Sequence, residues 1–439
     1  MNTGLRHLWN GGKIGFINNT KTKMQVQKKP QNRKSILSLL FVTLLINMIG
    51  FSMIIPIKPQ LIMNIISGNL SDAAQWGGYL LFGYAVGQFL MSPIMASLSD
   101  KYGRRKVLLF SILASCIDFL IMAVADNIGS FLLARVFSGI FSATIATVNL
   151  CVVDISEPQK RAVNFSVVNS ALGLGLMVGP FLGGTIGDIF GIKVPLIAGA
   201  MLFLINLGLV YFFIPETIKQ KKCQKLRWHE FLPLKVFIKL KATALPFQLL
   251  IASLLYQISF HSFTAIWSYY MIAKFNWGVK EIGGSLLAVG LSNFFVQNVV
   301  ARYLIPKLGA KKTFFIGVSF AIPAFYLYAV VNVEWLVYVT ILLGSLGALM
   351  RPCLRGIMSS YLSYVDQGSL MGGITSISGM ALIIGPIVMT QTFSVFQNES
   401  YALDMSGAPF LVSFLMSIIA TIFVFWAFSK KKVAIQNMA

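Results

Sequence analysis

Ala96-Ser97-Leu98-Ser99-Asp100-Lys101-Tyr102-Gly103-Arg104-Arg105-Lys106 joins two long apolar stretches, and its reading decides the fold. Five charged residues crowd into positions 100–106, whereas residues 76–99 before it and 107–117 after it carry none. The apolar stretches themselves, about 76–98 and 107–125, are each long enough to cross a hydrocarbon core of about 30 Å at about 1.5 Å per residue, so a charged turn between them makes a hairpin of membrane-spanning helices. Gly103 allows the tight turn. Asp100 can accept hydrogen bonds from a helix N-terminus or pair with an Arg. Such a cluster can latch the ends of helices in one conformation and release them in another.

Working outward, apolar runs recur at about 36–57, 76–98, 107–125, 129–152, 164–187, 194–214, 247–273, 282–304, 313–331, 336–361, 370–393 and 409–428, each long enough to span. The predicted fold class is therefore an all-α membrane protein with 12 transmembrane helices. Of 36 Lys and Arg residues, only Lys58, Lys193, Lys274 and Lys280 fall in odd-numbered connections, and only Arg135, Arg351 and Arg355 inside spans. The rest, with Arg302 at a span edge, lie in the termini and the even-numbered connections. This asymmetry predicts that both termini face the cytoplasm.

A composition 56% hydrophobic and 11% charged excludes an ordinary soluble protein. The net charge of +22 flanks the spans, where it sets topology and meets anionic lipid headgroups rather than nucleic acid. Cys116, Cys151, Cys223 and Cys353 show neither disulfide-framework nor zinc spacing, and His7, His229 and His261 do not cluster. No metal or cofactor is expected. The absence of a phosphate-binding GxxxxGK loop argues against an ATP-driven pump, and no constellation points to an enzyme. Residues 1–34 lack an apolar signal region and read as a disordered basic cytoplasmic arm.

The chain divides at 216–246, where Lys219, Lys221, Lys222, Lys225, Arg227, Lys235, Lys239 and Lys241 alternate with apolar residues. A cytoplasmic linker with a surface-lying amphipathic helix is expected there. It separates a six-helix bundle at 35–215 from a second at 247–429, followed by a cytoplasmic tail at 430–439. The bundles read as copies. Tyr102-Gly103-Arg104-Arg105-Lys106 recurs as Leu308-Gly309-Ala310-Lys311-Lys312, and Gly179-Pro180 as Gly385-Pro386, both at an offset of 206 residues. Two six-span halves of this kind place a substrate site near the midplane between them.

The 96–106 loop resembles the signature loop of the major facilitator superfamily, with Ala96 in place of the usual first Gly. Asp154 and Arg161 would extend its charge network, giving a cytoplasmic gate of Asp100, Gly103, Arg104, Arg105, Asp154 and Arg161. Gly175-Leu-Met-Val-Gly179-Pro180-Phe-Leu-Gly183-Gly184 is similar to the antiporter motif of the drug:proton exchangers in that superfamily. Small residues there let helices pack closely, and Pro180 can bend the span. Gly50…Pro56-Ile57-Lys58-Pro59, Tyr84-Ala85-Val86-Gly87-Gln88-Phe89, Ile117-Asp118-Phe119, Arg135…Gly139, Val153-Asp154-Ile155-Ser156 and Pro215-Glu216-Thr217 resemble the tetracycline-resistance efflux proteins. Trp267, Pro352 and Gln367-Gly368 continue the resemblance in the second half. Departures accompany it. Asn47 and Ala321 stand where that family carries acids, Asn293 where it carries a His, and Arg351 and Arg355 where it is uncharged. The resemblance implies the fold and the transport cycle, and leaves the substrate open.

A charge at the centre of a spanning helix costs about 2.5–3.5 kcal/mol on insertion scales. Asp118 and Arg135 lie at matching depths in spans 3 and 4, so a pair or a shared wet cavity is expected, with Asp118 the candidate proton carrier; a permanent structural ion pair is the other reading. Arg351 and Arg355 share one face of span 10. They would meet an anionic substrate group or an acid of the first half, or Arg355 would snorkel. Asn47, Gln88, Tyr256, Gln257 and Asn293 are candidates to line the cavity with them. Trp267 and Tyr270 are expected in an interfacial aromatic belt. The expected function is proton-driven export of a small organic molecule by a monomer in a bacterial inner (plasma) membrane. Two alternatives stand beside it. One is a proton symporter or uniporter importing an anionic metabolite through Arg351 and Arg355. The other is a non-transporting receptor or scaffold on a transporter fold.

Overall fold

A computed structural model describes residues 33–218, 245–362, 367–397 and 405–436. The arm expected at 1–34, but for its last two residues, and most of the linker expected at 216–246 lie outside them. The described chain is helical, with no strand: α1 Arg33–Ser52, α2 Ile54–Ile66, α3 Leu70–Tyr102, α4 Arg104–Val124, α5 Ile128–Phe141, α6 Thr144–Ile155, α7 Arg161–Phe190 and α8 Val194–Phe213. The second half holds α9 Phe247–Phe275, α10 Val279–Phe295, α11 Ala301–Val330, α12 Glu334–Ser345, α13 Met350–Ser359, α14 Gln367–Gln397 and α15 Ala408–Gln436. A π turn, Val296–Val300, joins α10 to α11, and a 3₁₀ turn, Leu346–Leu349, joins α12 to α13. The last helix runs on to Gln436, so most of the tail expected at 430–439 is helical.

Among the described residues, 11 helical runs are long and apolar enough to cross a membrane. Phe212, Val124 and Leu133 are 76%, 74% and 72% exposed, which suits side chains solvated by lipid tails. The longest run, Val279–Val330, has 52 residues and is not one rod. Gly309 breaks it with φ 77° and ψ 161°. Thr313 Oγ1 then lies 3.4 Å from Leu304 O, although nine residues of straight helix would separate the two levels by about 13 Å. The chain folds back there. Gly103 makes the corresponding turn in the first half, with φ 111° and ψ 147°. Both conformations are open only to a residue without a Cβ.

The repeat extends to packing. α7 lies along α1 as α14 lies along α9, and the halves meet where α7 touches α10 and α14 touches α3. Two breaks interrupt spanning segments of the first half. Pro56 has no N–H to give the carbonyl of Ser52, and the helix breaks at Met53. Ser52 Oγ beside the break lies 2.7 Å from Met48 O and 3.0 Å from Gly175 O, tying α1 to α7. At the α5–α6 break, the N–H of Ala143 donates to Ser111 Oγ at 2.9 Å.

Two expectations fail here. Lys58 is not in a connection: α2 carries it inside a spanning segment, 8% exposed. The helix resumes after Met53 and carries the Lys stem into the protein, whereas the sequence pattern reads Pro56-Ile57-Lys58-Pro59 as a span end. Nor do Trp267 and Tyr270 form an interfacial belt, since both are 0% exposed. Trp267 stacks on Phe263 at 4.6 Å and meets Tyr328 edge-on at 5.5 Å. Its Nε1–H donates to Ser285 Oγ at 2.9 Å, so the polar handle that draws Trp to water is satisfied inside.

At the end bearing the α2–α3 turn the halves are sealed. Ser71 and Ser394 hydroxyls are 2.9 Å apart. Gln75 Nε2 donates to Gln391 Oε1 at 3.2 Å, and Ser268 Oγ to Ile55 O at 2.9 Å. Tyr269 and Thr390 seat in hollows left by Gly77 and Gly78: a methyl at Gly78 would fall 3.0 Å from Thr390 Cβ, and one at Gly77 would fall 3.0 Å from Tyr269 Cζ. A Ser71→Cys/Ser394→Cys variant should therefore cross-link under mild oxidation. Adding Gly78→Val should cut the cross-linked fraction severalfold on a gel, because the wedge holds the seam apart. Undiminished cross-linking would show that the hollow is not needed for closure.

Candidate transport site

Polar groups in the first half converge from α3, α4, α5 and the α5–α6 break. Asp118 on α4 is 1% exposed and Arg135 on α5 is 5% exposed. Arg135 Nε donates to Asp118 Oδ1 at 3.3 Å and its Nη2 binds Oδ2, a two-pronged pair. Ser138, one helical turn from Arg135 on α5, is buried beside the pair. Aromatic rings enclose the guanidinium: its carbon is 5.9 Å from the Tyr84 ring centre and 5.6 Å from that of Phe119. Tyr84 leads onward. Its hydroxyl is 2.7 Å from Ser142 Oγ, which accepts from Gln88 Nε2 at 2.9 Å. Asp118, Arg135, Tyr84, Ser142 and Gln88 thus form one polar path, made possible because the helix break exposes Ser142.

The second half is less connected. Arg351 and Arg355 are exposed on α13. Among the described residues neither forms an ion pair with an acid, and Arg351 rests its guanidinium 4.2 Å over Phe260 of α9. Tyr256 departs from the cavity expectation. It packs in the core of the second bundle, edge-on to Phe314 at 6.0 Å, with its hydroxyl 2.8 Å from Thr421 Oγ1. Gln257 bonds within its own helix, to Ser253 O at 3.3 Å. Asn47 is buried on α1 and Asn293 half-buried on α10.

At the far end, Arg104 is the hub. It is 6% exposed, with Asp100 Oδ1 at 2.6 Å, Asp154 Oδ2 at 3.1 Å and Ser99 Oγ at 3.3 Å. Its backbone N–H donates to Glu216 Oε1 at 2.8 Å. Thr217 Oγ1 reaches Asp154 at 3.1 Å. Arg105 turns aside: it donates to Tyr211 O and lies 5.4 Å over the Tyr211 ring. Arg161 is exposed at the start of α7 and joins no ion pair among the described residues.

The sequence profile of the Major Facilitator Superfamily matches residues 40–334. The chain belongs to the major facilitator superfamily. It is similar to the class H tetracycline resistance protein of Pasteurella multocida, 32% identical over 365 residues that cover 82% of this chain and 89% of the relative. The class B tetracycline resistance protein of Escherichia coli is 30% identical over 360 residues, covering 81% and 87%. In fold it is similar to a bacterial homologue of the human lysosomal transporter Spinster in an inward-facing, unoccupied conformation, with a TM-score of 0.72 at 16% identity, covering 91% and 97%. The protein is thus a multi-pass membrane transporter and not an enzyme.

In this major facilitator protein the glycine motif of α7 is a packing surface. Gly175 abuts Met48, Gly179 abuts Ser52 and Ile49, and Gly183 abuts Met53, all on the α1 side, while Gly184 abuts Val279 and Gly283 of α10. Pro180 lies inside a continuous helix. The motif therefore holds α7 against both halves. Lys58, Ser138, Ser142, Glu216 and Thr217 are site residues that sequence reasoning did not assign. Glu216 and Thr217 were visible only as part of a family resemblance, though an acid just past span 6 falls at the same membrane level as the 96–106 hairpin. Arg104→Ala leaves Asp100 and Asp154 facing each other without their shared cation, so it should lower stability by about 3 kcal/mol. Thermal unfolding in detergent measures this, and an unchanged midpoint would mean that the network contributes nothing.

Proposed function

We propose that this transporter exports a small organic molecule in exchange for protons, by rocking two six-helix bundles around a midplane site. The observation that carries the reading is the buried Asp118–Arg135 pair, joined through Tyr84 and Ser142 to Gln88. A carboxylate in a spanning helix is costly unless paired or used. Here its partner is one residue on a neighbouring helix, so a small shift of α5 against α4 exposes or covers it. A neutralising proton then frees Arg135, and loss of that proton restores the pair. Similarity to tetracycline resistance proteins supports the direction of transport.

Counting the two sides of the reversal at Gly309 as separate crossings of Val279–Val330 supports a total of twelve, with both termini on one side. The basic hairpin at 100–106 and the Lys311-Lys312 turn then face the cytoplasm of a bacterial inner membrane. On that reading the seam between α3 and α14 is the closed outer side, and the exposed Arg351 and Arg355 belong to the side open to the cytoplasm. Asp100, Arg104, Asp154 and Glu216 hold the cytoplasmic ends of the first half together as one body. A single chain contains every part of this cycle, so a monomer suffices.

Purified protein in liposomes, assayed with fluorescent substrates under an imposed pH gradient, tests the reading. Substrate should move against its gradient only when protons flow the other way, and Asp118→Asn should reduce that flux at least about 100-fold while the protein still inserts and unfolds cooperatively. Undiminished pH-driven flux in Asp118→Asn removes Asp118 from the mechanism. Accumulation driven by protons moving in the same direction identifies a symporter instead.

A further inference from the structure

Away from helix ends, the spanning segments hold Lys58, Arg135, Arg302, Arg351 and Arg355 but, among the described residues, only Asp118 as an acid. Asp118 is taken by Arg135. Lys58 on the first half and Arg351 on the second therefore have no acidic partner among the described residues; Lys58 lies at the seam between the halves, and the alternating-access reading above sets Arg351 on the same passage. Lys58 is 8% exposed, with Nζ 5.3 Å over the ring of Tyr269 from the opposite half. The Tyr269 side chain is fully buried and its hydroxyl has no hydrogen-bond partner among the described residues. An ammonium with three donors and a phenol O–H with one thus meet at the seam with nothing negative to bind. Arg351 repeats the arrangement at the open end, with five donors over Phe260. Each cation lies eight residues, about 12 Å, from the nearer end of its segment, Lys58 from Ile66 and Arg351 from Ser359. They mark two levels on one route.

We propose that the transported molecule is an amphipathic organic anion, a carboxylate on an aromatic or apolar body, taken up at Arg351 from the open end and received by Lys58 as the seam parts. A carboxylate is the group that satisfies both sites: it accepts two parallel N–H bonds from a guanidinium and accepts from an ammonium and a phenol together. The aromatic face beside each cation suits the body of the same molecule, and each cation loses less by exchanging a ring face for a full negative charge. Unpaired cations on the route leave a cationic substrate repelled at both levels. The proposal rests on the alternating-access reading above and names the substrate class of that same passage.

The test uses a matched pair of probes, 2-naphthoate and 2-naphthylmethylammonium, with the full chain in detergent and no pH gradient. Equilibrium binding and thermal protection should be seen for the naphthoate and not for the ammonium. Arg351→Gln should weaken naphthoate binding at least tenfold. Lys58→Gln should leave binding in the open state within about threefold yet reduce naphthoate release from loaded liposomes at least tenfold, and Lys58→Arg should recover most of that loss. Arg351 is exposed and Lys58→Arg keeps the charge, so cooperative unfolding of these variants serves as the control for folding. Tighter binding of the ammonium probe, or wild-type naphthoate binding in Arg351→Gln, overturns the proposal, and so does wild-type release from Lys58→Gln. Binding requires no proton gradient. Intact naphthoate binding without proton-driven flux would fault the coupling reading alone, whereas proton-driven flux of the ammonium probe would fault the anion reading alone.

Discussion

Within a hydrocarbon layer no water waits to bind a backbone group that its helix has released. Each irregularity in these spanning segments must therefore be repaired from inside the protein. Beside the break at Met53 the Ser52 hydroxyl reaches Gly175 O and so joins α1 to α7. The break before α6 is covered by Ser111, which reaches Ala143 N–H and lies 2.9 Å from Thr144 Oγ1, joining α4 to the fourth spanning segment. The breaks in turn create the site. The α5–α6 break frees Ser142 to join Tyr84 to Gln88, and the resumption of helix at Ile54 carries Lys58 inside.

The same economy governs charge. A buried guanidinium and carboxylate in two-pronged contact offset much of each other's desolvation, but removing one partner leaves the other stranded. The Asp118–Arg135 pair is therefore neutral overall only while it is closed, which is what the proposed coupling by a single proton would exploit. Rings of Tyr84 and Phe119 beside Arg135 supply a second, weaker resting place for the cation. The sealed seam works by shape instead. Gly77 and Gly78 present hollows that Tyr269 and Thr390 fill, so the halves close without needing strong polar contacts that would have to be broken in each cycle.

Much of this was legible in the sequence. Apolar run length gave the spanning segments, and the shared 206-residue offset marked Gly103 and Gly309, which adopt the same turn. Matching depth in the bilayer brought Asp118 and Arg135 to mind as neighbours. What the pattern did not show has physical reasons. Lys58 sits between two prolines, and proline with a charge reads as the end of a span unless the helix is known to restart after Met53. Trp267 and Tyr270 follow the rule for interfacial aromatics until Ser285 and the Tyr328 carbonyl are seen to satisfy their donors internally. Tyr256 lies on the cavity-forming helix α9, but periodicity alone does not say which of its faces meets Thr421 and Phe314. Arg161 neighbours the charge network in sequence, yet α7 starts by aiming it outward.

The two hairpins that share a turn do not share a clamp. Positions 206 residues beyond Asp100, Arg104 and Asp154 hold Pro306, Ala310 and Ser360, so the second turn keeps its glycine and its lysines without the residues of the first turn's ionic ties. Lys311 leans over the ring of Phe428 at 4.7 Å, and Thr313 Oγ1 donates to Gly309 O at 2.9 Å; neither is an ion pair. One bundle is therefore braced at its base like a stiff lever, while its counterpart is hinged at a compliant joint. In a rocking cycle of the kind proposed, the half that carries Arg351 would be the one left free to bend.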